Sequence, residues 1–128
     1  MGRTSWDSMA WLCAMNLYLH GIGGEESPIE VGDSLVSEPS DHYDMVLTNP
    51  PFGKKIVVKG EPILSQFDLG YKWKKDKETK SLEKTTTLHD DQPPQILFLE
   101  RCLQLLKPGG RLGIVLPEAV FGMLTYEY

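Results

Sequence analysis

Asn49-Pro50-Pro51-Phe52 stands directly after the apolar run Tyr43-Asp44-Met45-Val46-Leu47-Thr48, where a buried strand is expected to end. At average residue usage, an Asn/Asp/Ser-Pro-Pro-aromatic tetrapeptide arises by chance in roughly one chain in a few hundred of this length. Its chemistry suits a planar amine. The exocyclic NH2 of a heteroaromatic ring such as adenine or cytosine is a poor nucleophile, because its lone pair is delocalised into the ring. Asn49 carries an amide oxygen that accepts one N–H, and the carbonyl of Pro50 accepts the other. Together they pull the nitrogen toward a tetrahedral shape and aim its lone pair. Consecutive prolines restrict φ, so the carbonyl's direction is set in advance. Phe52 adds a flat face for stacking, worth about 1–3 kcal/mol per base. None of this requires a shifted pKa. The plainer reading is a rigid Pro-Pro turn closed by a core phenylalanine.

The elements that must position this corner read as α/β. A helix is expected over 7–19, with Asp7 as N-cap and an exit at His20-Gly21, where glycine takes the left-handed conformation. Ile29-Glu30-Val31 is a short strand candidate, and 45–48 the clearest buried strand. Pro93-Pro94 precede a helix over 95–106 that is apolar on nearly every face, through Ile96, Leu97, Phe98, Leu99, Leu103, Leu105 and Leu106. Lys107-Pro108-Gly109-Gly110 is expected to stop it, and 112–116 to form a buried parallel strand. Strands alternating with helices predict βαβ units, whose ligands bind at the carboxyl ends of strands, where Asp33 and Asn49 both fall. At a strand end Asp33 can accept from an adenine amine; taken alone, an aspartate there is more often a turn or cap residue. Gly21-Ile22-Gly23-Gly24 follows a helix and reads as its exit.

Composition is that of one small globular domain: 128 residues, 41% apolar, mean hydropathy −0.26. No apolar stretch approaches the length of a membrane span, and the N-terminus lacks the basic-then-apolar pattern of a secretory signal, which predicts a cytoplasmic protein. Cys13 and Cys102 are far apart and are expected to be buried reduced thiols; His20, His42 and His89 form no cluster, so no metal is expected. The net charge of −5 is unevenly spread. Residues 1–53 hold one basic residue, Arg3, against eight acids, whereas 54–84 hold nine lysines against five acids. This basic stretch is Lys54, Lys55, Lys59, Lys72, Lys74, Lys75, Lys77, Lys80 and Lys84. Lysines beside the corner would neutralise nucleic-acid phosphates, and Tyr71 and Trp73 between them would stack on a displaced base. A solvated loop or insertion over about 54–92 accounts equally well for the pattern.

Asn49-Pro50-Pro51-Phe52 resembles the catalytic motif of the amino-methyltransferases that use S-adenosylmethionine, in particular the adenine-N6 DNA methyltransferases. Met15-Asn16-Leu17-Tyr18-Leu19-His20-Gly21, Gly32-Asp33-Ser34-Leu35 and the motif with Gly53 are similar, in order and spacing, to the modification subunit of type I restriction-modification systems. So are Phe98-Leu99-Glu100-Arg101, Leu106-Lys107-Pro108-Gly109-Gly110-Arg111 and Val115-Leu116-Pro117-Glu118. The resemblance covers about residues 12–122, with 54–92 its weakest part. It implies a partial Rossmann-like class I methyltransferase fold with a mainly parallel sheet, incomplete at both ends. It implies methyl transfer from S-adenosylmethionine to the adenine amine of DNA, with Asn49, Pro50, Pro51 and Phe52 at the catalytic corner. Asp33, Ser34, Leu35 and Asn49 would face the cofactor, and Lys54, Lys55, Lys72, Lys74 and Lys75 the nucleic acid. A specificity subunit and a restriction subunit would be partners.

The chain departs from that family in two respects. A glycine-rich loop after a first strand, which brings backbone close to the adenosyl group, has no counterpart here, and neither Arg3 nor Thr4 is the acid that would bind the ribose. By resemblance the chain begins in the second crossover helix, so a fragment inactive without an upstream methyltransferase segment is expected. Two alternatives stay open: a methyltransferase acting on an RNA guanine or a protein glutamine amine, and a non-catalytic nucleic-acid-binding remnant.

Overall fold

The structure is a computed structural model and describes residues 5–51, 53 and 56–121. They belong to two units, Met1–Asp33 and Ser34–Tyr128, each described by itself.

The first unit is built on helix α1, Ser5–Leu19. Asp7 lies inside its first turn and is not the expected N-cap; there its charge opposes the positive end of the helix dipole. The C-terminus closes as the sequence implies. Gly21 sits at φ 74°, its N–H donates to the Tyr18 carbonyl at 2.9 Å, and that of Ile22 donates to the Leu17 carbonyl at 2.9 Å. This double closure satisfies carbonyls that a helix end leaves open. Apolar residues lie all around α1, and Met9, Leu12, Met15 and Leu19 are exposed. Cys13 is exposed too, contrary to the buried thiol expected. Residues 22–29 return along the helix, leaving an open groove of about 480 Å3 among Trp11, Met15, Tyr18 and Ile29. The expected strand over 29–31 does not form. Among the described residues no strand pairs with it, and so short a run without a ladder has nothing to hold its extended backbone.

The second unit contains β1 (Tyr43–Thr48), β2 (Val58–Lys59), α2 (Glu61–Leu64), a 3-10 turn (Asp68–Gly70), β3 (Tyr71–Lys75), β4 (Leu82–Leu88), β5 (Asp91–Gln92), α3 (Pro94–Gln104) and β6 (Leu106–Ile114). β1 and β6 pair in parallel, with Val46 opposite Leu112 and Thr48 opposite Ile114. β2–β5 and β3–β4 are antiparallel pairs, so the described strands are not mainly parallel as expected. The described residues of 54–92, expected as a loop or insertion, hold both antiparallel pairs and two helical turns.

Leu35, Leu64, Phe67 and Leu97 form the buried core, with Val58, Ile63, Leu88 and Phe98 packed against it. α3 supplies one buried face, on which Pro94, Leu97, Arg101 and Cys102 follow helical spacing. Leu103 is 59% exposed, so the helix is not enclosed on several sides. α3 also ends earlier than expected. Leu105 donates to the Arg101 carbonyl, and β6 begins at Leu106, opposite Tyr43. Lys107-Pro108-Gly109-Gly110 therefore lies within the strand and not beyond a helix. Between the Tyr43 and Met45 pairs the register shifts, and Gly109, at φ 81°, takes the backbone conformation this irregularity needs. β6 stops at Ile114, although Val115 still donates to the Thr48 carbonyl. The expected burial of β1 is not seen: Leu47 is 75% exposed, because among the described residues its sheet is only two strands wide and leaves this residue uncovered.

Candidate functional site

Asn49 follows the last residue of β1, and the ladder grips the chain up to that point: Thr48 pairs with Ile114, and its carbonyl accepts the Val115 N–H at 3.1 Å. Asn49 is exposed, and among the described residues no hydrogen bond occupies its side chain. Pro50 is buried and Pro51 exposed, so the corner is anchored by a proline ring directly beside the free amide. No described donor occupies the Pro50 carbonyl. Gly53 accepts the Ile56 N–H at 3.2 Å, which fixes the far side of the turn. Phe52, expected to stack, and Lys54 and Lys55, expected to meet phosphates, lie outside the described residues.

The second group of expected residues separates. Asp33 is exposed, but no strand ends at it. Ser34 is exposed and opens a turn. Leu35 is a core residue, 5% exposed and clustered with Leu64, Phe67 and Leu97. Its side chain is spent on packing, which corrects its expected place against an adenine ring.

That turn is held by a residue whose role was not apparent in the sequence. The Arg101 guanidinium is almost wholly buried and donates to the Leu35 carbonyl at 3.2 Å, to Gln66 Oε1 at 2.9 Å and to Gln104 Oε1 at 2.8 Å. It also lies 4.6 Å from the centroid of the Phe67 ring. Gln66 in turn donates to the Val36 carbonyl. Burial pushes the Arg101 guanidinium pKa down, and the charges of Glu38 and Glu100 oppose that shift. Glu100 also caps the 3-10 turn, where its two oxygens accept the N–H groups of Asp68 and Leu69 at 2.6 and 2.8 Å. The available signal was an adjacent acid and base in an apolar helical run, without any indication of their partners.

The lysines also divide. Lys84 lies 2.5 Å from Asp68 Oδ1 and 4.4 Å from the Tyr71 centroid, and the bond to Asp68 raises its pKa. Lys59 is 3.6 Å from Asp91. Lys72, Lys74 and Lys75 are exposed and, among the described residues, without an ion pair. Trp73 donates its indole N–H to the Asp68 carbonyl at 3.1 Å. Among the described residues, no group of His, Cys, Asp and Glu side chains is placed to hold a metal ion, and no helix is long and apolar enough to cross a membrane.

A corner of this type, at the end of a parallel strand, sits within a family pattern that spans the chain: residues 1–125 match the model described as N-6 DNA Methylase. The chain belongs to the N-6 DNA methylase family. Among curated proteins it is 30% identical to the type II methyltransferase M.VspI of Vibrio sp. (strain 343) over 107 residues, which is 82% of this chain and 22% of that protein. It is 29% identical to the type I restriction enzyme StySPI methylase subunit of Salmonella potsdam, over 85% of this chain and 17% of that subunit. The EcoKI methylase subunit of Escherichia coli (strain K12) is likewise 29% identical, over 85% of this chain and 17% of its own length. This N-6 DNA methylase chain thus spans about a fifth of the length of the curated relatives it matches.

Proposed function

We propose that this chain carries the amine-presenting corner of an S-adenosylmethionine-dependent DNA methyltransferase acting on the N6 amine of adenine. The observation that carries the reading is Asn49: an exposed amide without a described partner, at the end of a parallel strand and next to a buried proline. A target adenine taken out of the duplex would give its two N–H groups to Asn49 Oδ1 and the Pro50 carbonyl. The bound cofactor supplies an electrophilic methyl group on a sulfonium sulfur. Neither acceptor ionises, so catalysis here is orientation and electrostatic support of the nitrogen as it gains positive charge, and the proton it then sheds would pass to water. Ser34, exposed at the turn that opens the second unit, would face the adenosyl group. The crossover from β1 through α3 to the parallel strand β6 supports part of a Rossmann-like sheet. Its likeness to type I methylase subunits supports work beside a subunit that selects the DNA site, in the cytoplasm, where bacterial DNA lies.

The test joins the chain to an upstream segment bearing the adenosyl-binding glycine loop and measures methyl transfer to adenine-containing DNA. Asn49→Ala should lower kcat by about 10²–10³-fold, the usual cost of removing one polar contact to a developing charge. Activity that survives the substitution rejects the assignment.

A further inference from the structure

The β3–β4 hairpin is the electropositive element of an acidic chain: residues 71–88 hold six lysines against three acids, while the whole chain carries −5. It is also rigid at both ends. At its base, Asp68 receives Lys84 on its carboxylate and the Trp73 indole N–H on its carbonyl, while Leu88 packs against the core. At its tip, the Asp76 Oδ1 accepts the N–H groups of Glu78 and Thr79 at 2.8 and 2.7 Å and the Thr79 hydroxyl at 3.0 Å. The Asp76 N–H donates to the Ser81 carbonyl, and Lys80 turns the chain at φ 55°. The Asp76 carboxylate is therefore engaged within the turn, while Glu78 keeps its own exposed. The hydrogen bonds to Asp76 hold its carboxyl pKa below the usual range, led by the one from the Thr79 backbone.

What remains outward is mainly cationic, with Glu78 and Glu83 as the exposed acids among the exposed lysines. Lys72, Lys74, Lys75, Lys77 and Lys80 are exposed and, among the described residues, unpaired. The aromatic residues are at the base: the Lys84 ammonium lies over the Tyr71 ring, and Trp73 is tethered through its N–H. The seven residues of β4 extend about 23 Å at about 3.3 Å per residue. A two-stranded ribbon fits the major groove of B-DNA, about 12 Å wide, with its edges toward the phosphates on the two rims. We propose that this ribbon grips duplex DNA tip first in a groove, through phosphate contacts made by Lys72, Lys74, Lys75, Lys77 and Lys80, without stacking on a base. This replaces the expectation that Tyr71 and Trp73 bind a displaced base, and it rests on the reading of DNA as substrate.

The experiment titrates the full chain with a labelled duplex of about 20 base pairs, and with one strand of it, by fluorescence anisotropy across a salt series. Wild-type chain should bind the duplex at least tenfold more tightly than the single strand. Lys74→Gln/Lys75→Gln/Lys77→Gln/Lys80→Gln should flatten the log-log salt dependence by about three to four, since each phosphate contact contributes about 0.9. An unchanged slope, equal affinity for the single strand, or no duplex binding by the wild type would each overturn the proposal. Activity surviving Asn49→Ala would reject the methyl-transfer assignment and leave this measurement standing, so the two ideas fail separately.

Discussion

Arg101 is a guanidinium enclosed by neutral partners, a costly arrangement that three acceptors and one aromatic face offset. Truncation to alanine would strand the Leu35 carbonyl and the Gln66 and Gln104 side-chain oxygens and leave a void. Arg101→Ala should therefore cost about 2–4 kcal/mol in urea denaturation. Arg101→Met, which keeps most of the apolar stem, should cost about half of that. Equal losses would mean that the hydrogen bonds, and not the packing, carry the whole effect. Asn49 could be proposed as a site residue from the sequence, because the proposal draws on the three residues after it and the strand before it. The role of Arg101 could not be read in the same way: two of its three partners lie 66 and 35 positions away in the chain.

Elements reveal a second limit of local reading. The end of α1 was legible because a glycine after an apolar run closes a helix through bonds to residues three and five positions back. The ribbon was not, since Lys72 to Lys75 and Thr85 to Thr87 carry little of the apolar alternation that marks a strand. Cross-strand contacts make it: Trp73 faces Lys84, Lys75 faces Leu82, and the Thr85 hydroxyl donates to the Lys72 carbonyl at 2.7 Å. Its attachment depends on the close approach of the 3-10 turn to α2. A Cβ added at Gly70 would lie 2.0 Å from the Leu64 carbonyl oxygen, a backbone atom with little room to move. Gly70→Ala should thus destabilise the second unit by about 3 kcal/mol, the upper range for overpacking, measured as a fall in its thermal midpoint. A midpoint within a degree of wild type would mean the turn can move away without cost.

Over the whole molecule, exposed apolar side chains occur in both units. Leu12 is 62% and Leu47 75% exposed, in company with Met9, Met15, Leu19, Met45 and Val115. Exposed apolar side chains in this number bind dyes and partners, so the chain alone should enhance the fluorescence of an apolar probe and scatter light with rising concentration. Leu12→Lys and Leu47→Lys should each reduce both signals while changing stability by only about 0.5 kcal/mol. Undiminished signals would place the sticky surface elsewhere. By itself the sequence determined the Asn49-Pro50-Pro51 corner after an apolar run, the glycine exit of α1, the uneven charge and the family pattern, since each is written in neighbouring residues. Only the tertiary structure decided that 43–48 pairs with 106–114, that Leu35 turns inward, that Arg101 holds its turn, and that the lysines ride on a hairpin. Those outcomes depend on hydrogen bonds and packing between residues tens of positions apart, which no local preference along the chain encodes.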